Sequence, residues 1–106
     1  MTINQSKGTL DFIEGLLGKK PSLGDYLLAI RKGEEFSQAQ FSEQLGISRQ
    51  NLCDIEHNRR FISPKMAAEF ADKLGYSRNQ FVRLCLQDLL NREGLALYVD
   101  IQSDAS

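Results

Sequence analysis

The 106-residue sequence predicts an all-α domain: five helices between residues 22 and 91, an extra N-terminal helix before them, and a short C-terminal β-strand after them. Three observations carry that expectation. Apolar residues recur three and four apart through six short stretches, the spacing that puts them on one helix face. Serine stands where five of these stretches begin, and glycine follows five of the six. After Gly94 the apolar period changes to two, as in a strand.

Leu10, Phe12, Ile13, Leu16 and Leu17 mark the extra helix, Thr9 to Leu17, which Gly18 can end. Ser22 caps a second stretch through Lys32, with Leu23, Tyr26, Leu27 and Ile30 on its apolar face and Gly33 beyond its end. Ser37 caps Gln38 to Leu45, where Phe41 and Leu45 lie four apart, and Gly46 stops it. Ser48 caps the next helix only two residues later. Ser63-Pro64 opens a helix through Met66, Ala67, Phe70, Ala71 and Leu74, proline being favoured at the first helical position. Ser77 opens the last helix, which carries Phe81, Leu84, Cys85, Leu86, Leu89 and Leu90 and ends near Gly94. In LALYVDI, Leu95, Leu97, Val99 and Ile101 alternate with Ala96, Tyr98 and Asp100. A lone strand leaves its backbone unpaired, so these four residues are the expected interface to a partner chain. The domain plan is an arm with the amphipathic helix (1–21), a helical domain (22–91), and a strand with a polar tail (92–106).

Apolar residues make up 42% and charged residues 25%, the balance of an ordinary globular chain with one modest core. The first twenty residues lack the early positive charge and unbroken apolar run of a signal peptide, and no run approaches a membrane span. Two cysteines, Cys53 and Cys85, are too few for a disulfide scaffold. The expectation is a cytoplasmic protein. Formal net charge is −1, from 13 basic and 14 acidic residues, which weighs mildly against a nucleic-acid partner. Phosphate contacts, however, need a positive face and not a positive total.

Such a face is available in LGISRQNLCDIEHNRR, residues 45–60. Two helices joined by Gly46-Ile47-Ser48 have the helix-turn-helix geometry that can place a helix in the DNA major groove. Phe41, Leu45, Ile47, Leu52 and Ile55 can form the shared core, and Ser42 is small where the helices should approach. With Leu52 and Ile55 inward, the outward arc is Gln50, Cys53, Asp54 and His57, flanked by Arg49 and Asn51. Amides and guanidinium groups make bidentate bonds to adenine and guanine edges, and a carboxylate can accept from cytosine.

The pattern S-Q-A-x-F-S-x-x-L-G-I-S-x-x-x-L-C-x-I-E-x-N-R-R resembles the Cro/phage-repressor (XRE) type of helix-turn-helix, a lambda-repressor-like fold, from about Leu23 to Leu74. The resemblance implies residue roles. Gln38 falls at the helix start that bonds phosphate. Ser48, Arg49, Gln50 and Asp54 fall at base- and groove-contacting positions, with Asn51 nearer the backbone. Asn58, Arg59 and Arg60 fall in the loop that touches phosphate, Asn58 standing where glycine is commonest. Arg31 and Glu56 fall where many members place a structural ion pair.

The bland readings have less support. Cys53 and His57 lie four apart, but structural zinc needs four ligands and no others cluster nearby, so neither metal nor cofactor is expected. Cys85 reads as a small core residue. The sole histidine is His57, no glycine-rich phosphate loop appears, and no carboxylates pair, so an enzyme is not expected. The sequence therefore points to a homodimeric, double-stranded-DNA-binding transcriptional regulator, in the first instance a repressor. Its alternatives are the antitoxin of a toxin–antitoxin pair, with a toxin protein as second partner, and an interaction module without DNA.

Overall fold

A computed structural model describes residues 21–102. The stretch Thr9 to Leu17 and the last four residues lie outside that range. Five helices follow in order: α1 (Leu23–Gly33), α2 (Gln38–Leu45), α3 (Arg49–Glu56), α4 (Pro64–Leu74) and α5 (Arg78–Arg92). Each begins because a serine hydroxyl accepts the N–H three residues on, replacing a partner the first turn lacks. Those bonds run from Asp25, Gln40, Asn51, Met66 and Gln80 to Ser22, Ser37, Ser48, Ser63 and Ser77, at 3.0–3.2 Å. In α1 and α2 the cap is reciprocal. Asp25 accepts from Ser22 N–H at 3.1 Å, and Gln40 from Ser37 N–H at 2.9 Å.

The ends of α2 and α4 are set by Gly46 and Gly75, both left-handed at φ 75° and 77°. The end of α1 differs from expectation. Gly33 stays helical, and Glu35 takes the left-handed conformation at φ 59°. The turn that results lets Phe36 N–H bond Arg31 O at 3.0 Å and stacks Phe36 on Phe41. Packing of Phe36 thus overrides the local preference of glycine.

The core draws on every helix: Leu23, Tyr26 and Leu27 of α1, Phe41 and Leu45 of α2, Leu52 and Ile55 of α3, Ala67, Phe70 and Ala71 of α4, and Phe81, Leu84 and Cys85 of α5. Burying each large side chain is worth about 1.5–3 kcal/mol. Tyr26 meets Phe81 edge-on at 5.8 Å, joining α1 to α5. The Cys85 thiol donates to Ile62 O at 3.1 Å, and burial raises its pKa. Helix α1 crosses α3 so closely that a β-carbon on Gly24 would stand 2.1 Å from Ile55 O. Only glycine fits there.

The expected C-terminal strand is not present among the described residues, which contain no β-structure. Residues 95–102 run without regular structure past α5, and the reason is the side chain of Gln87. Its carboxamide donates to Leu97 O at 2.7 Å and accepts from Val99 N–H at 2.9 Å. One side chain thereby supplies the donor–acceptor pair that a neighbouring strand residue would have offered. Nor do the alternating residues make one buried face. Val99 and Ile101 are half-buried, whereas Leu95 and Leu97 are exposed, as is Tyr98 between them.

Asp88 of α5 ties the start of α1 to this scaffold, accepting Leu23 N–H at 2.8 Å. Burial pushes its carboxyl up to about 6, against the pull of that hydrogen bond and of Arg92; nearby Asp25 adds to the rise. A raised carboxyl contributes stability below its unfolded value near 4 and loses it as pH rises through 6. Asp88→Asn removes that dependence. Thermal melts should show the variant's Tm, relative to wild type, higher at pH 7.5 than at pH 4.5. A difference that is constant with pH would show that Asp88 is not held protonated by the fold.

Candidate nucleic-acid interface

The turn between α2 and α3 is fixed from both sides. Ile47 N–H bonds Ser42 O at 3.0 Å, and Lys73 of α4 donates to Leu45 O at 2.9 Å, neutralising the carbonyl end of α2. Ser42 is buried where the two helices meet. Helix α3 then turns Leu52 and Ile55 into the core and leaves Ser48, Arg49 and Gln50 exposed, with Asn51, Cys53 and Asp54 half-buried beside them.

Glu56 is the third inward residue of α3, and its side chain is fully covered. Arg31 of α1 clamps it with two bonds, Nε to Oε2 at 2.6 Å and Nη2 to Oε1 at 3.1 Å. Arg31 also donates to Phe36 O at 3.1 Å. Gln38, at the start of α2, adds a third donor to Glu56 at 3.0 Å. A buried carboxylate is tolerable only with partners of this number and geometry. The reward is that the first three helices meet on a single side chain.

The loop after α3 divides its expected phosphate residues. Asn58 takes a left-handed conformation at φ 60°, which explains how it serves where glycine would. Its carboxamide points back into the fold, donating to Asp25 at 3.0 Å and accepting from Ser22 Oγ at 2.7 Å. Arg59 and Arg60 are exposed, and their N–H groups bond Asp54 O at 2.7 and 3.2 Å. The hydrogen bond that Arg59 donates to Asp54, with a further one to Cys53, raises the pKa of Arg59. His57 Nδ1 lies 2.8 Å from Cys53 O and 3.6 Å from its sulfur. Among the described residues no three His, Cys, Asp or Glu side chains stand where they could hold a metal ion.

Two of the residues that build this site gave little sequence signal. Gly24 is one of eight glycines, and only the close crossing with Ile55 reveals its role. Lys73 looks like an ordinary charge on α4. By contrast, Ser22 is legible as a helix cap, and its reciprocal partner Asp25 had an available signal in the acid three residues on.

Two short helices crossing at a left-handed glycine, the second presenting a polar face, define a helix-turn-helix protein. The chain belongs to the helix-turn-helix domain family, which it matches over residues 24–95. No curated protein and no solved structure matches it. None of the helices among the described residues is long and apolar enough to cross a membrane.

Because Glu56 is covered and Arg31 is only 14% exposed, removing one partner strands a desolvated charge. Such losses run to about 3–5 kcal/mol. Thermal or urea unfolding of Arg31→Met, Glu56→Gln and the double variant should show strong coupling, the double variant losing much less than the sum. Additive losses would contradict the pair's joint role.

Proposed function

We propose that the protein is a cytoplasmic, sequence-specific double-stranded-DNA-binding transcriptional regulator of the Cro/phage-repressor type, acting as a homodimeric repressor. The observation that carries this reading is the division of α3. Three residues lock it to the domain, and its N-terminal end presents exposed Ser48, Arg49 and Gln50 with half-buried Asn51 beside them. Side chains of these types read base edges in the major groove. Gln38 opens α2 with its carboxamide nitrogen held by Glu56, while Arg59 and Arg60 add positive charge for phosphate in the loop after α3. Membership of the helix-turn-helix family supports a DNA partner. Support for a dimer is physical. An eight-residue helix reads few base pairs, and two copies about 34 Å apart would read two half-sites one turn apart.

A second reading, the antitoxin of a toxin–antitoxin pair, is favoured by the exposed Leu95, Leu97 and Tyr98 beyond α5, an apolar run suited to a toxin protein. A small toxin gene beside this one would distinguish it. An interaction module without DNA would retain no duplex even at low salt.

The test is selection of bound duplexes from random DNA, followed by binding of variants to the selected site. Arg49→Ala and Gln50→Ala should each cost about 1–3 kcal/mol of discrimination while sparing non-specific binding. Arg59→Ala should weaken all sequences alike and flatten the salt dependence. Wild-type discrimination in the first two variants would remove α3 from the role of base reader.

A further inference from the structure

We propose that Asp54 is a positioning residue of this surface: its carboxylate orients the Gln50 carboxamide and the Arg59 guanidinium before DNA arrives. The inference rests on the assignment of α3 as the DNA-reading helix.

A carboxylate is costly at this place for two reasons. It lies in the last turn of α3, where the helix dipole already presents negative charge, and it faces the side on which phosphates would approach. The structure shows what offsets those costs. One oxygen, Oδ1, accepts from Gln50 Nε2 at 3.1 Å and from Arg59 Nε at 3.0 Å, and Arg59 Nη2 makes an ion-pair contact with it at 2.9 Å while donating to Cys53 Sγ at 3.5 Å. The main-chain carbonyl of the same residue accepts from Arg59 and Arg60, so the loop is anchored at this point as well. Exposure divides the roles. The Asp54 side chain is 23% exposed and that of Arg59 is 53% exposed, so the acid lies beneath the groups it holds.

Consequences follow for both partners. An amide whose nitrogen is held by a carboxylate cannot flip, because flipping would bring two acceptors together. Gln50 therefore presents its oxygen and its second N–H in one fixed order, the pair that matches N6 and N7 of adenine. Arg59 spends its Nε edge on Asp54 and leaves Nη1 for phosphate. Losing the carboxylate frees both side chains, and Gln50 can then present either order.

The experiment uses the full chain carrying Asp54→Ala, Gln50→Ala or both, with Asp54→Asn as the conservative variant should Asp54→Ala fail to fold. Two readouts are needed. NMR of the free protein follows the Arg59 Nε–H and the Gln50 side-chain amide, both of which should shift and exchange faster without the carboxylate. Selection from random duplexes gives base preference at each position. Asp54→Ala should reduce preference about tenfold at the base pair that Gln50→Ala also affects. In the Gln50→Ala background it should change that pair no further. Non-specific affinity should rise, since a charge repelling phosphate is gone. Loss of preference at a pair that Gln50→Ala leaves untouched would make Asp54 a base reader and overturn the proposal. Unchanged Arg59 and Gln50 resonances would overturn it equally. A wild-type chain that selects no sequence would overturn the DNA assignment itself, and the resonances would then report separately on the clamp.

Discussion

Glu56 is the one charged side chain buried among the described residues, and the placement of α3 and its exposed face depends on how that carboxylate is satisfied. Its partners come from α1 and the first residue of α2, so a bond network with no solvent-facing alternative fixes three helices at once. Apolar packing alone would hold α3 less uniquely. Leu52 and Ile55 are two residues on an eight-residue helix, too few to define its rotation sharply. The buried pair adds direction to a contact that hydrophobic burial leaves non-directional. Gly24 belongs to the same constraint, since α1 can bring Arg31 to Glu56 only by crossing α3 at backbone contact.

Local rules made most of this fold legible. The five serine caps and the left-handed Gly46 and Gly75 placed helix boundaries almost to the residue, because these signals act within four residues of themselves. Where the sequence misled, a distant residue decided. The alternation in residues 95–101 has the period of a strand, yet no strand lies beside it among the described residues, and Gln87 of α5 bonds Leu97 O and Val99 N–H instead. Glu35 takes the left-handed position that Gly33 advertises because Phe36 gains a stacking partner in Phe41. Asn58 combines both lessons. Its tolerance for positive φ was readable, and its inward bonds to Ser22 and Asp25 were not.

Charge shows the same dependence on place. A net charge of −1 describes the chain poorly, because Asp54 and Glu56 are acids of α3 that face guanidinium groups at hydrogen-bond distance. What remains toward solvent at the start of α3 and in the loop after it is Arg49, the outer edge of Arg59, and Arg60. A near-neutral protein can thus expose arginines at both ends of one helix, and local charge is the quantity that matters for a polyanion.

The most direct measurement is an NMR titration of the isotope-labelled protein with the duplex selected from random DNA. The account predicts that backbone and side-chain shifts concentrate at Gln38, at residues 48–54 and at Arg59 and Arg60, while the outer face of α5 stays unchanged. Shifts confined to α5 and residues 95–101, with α3 silent, would contradict it.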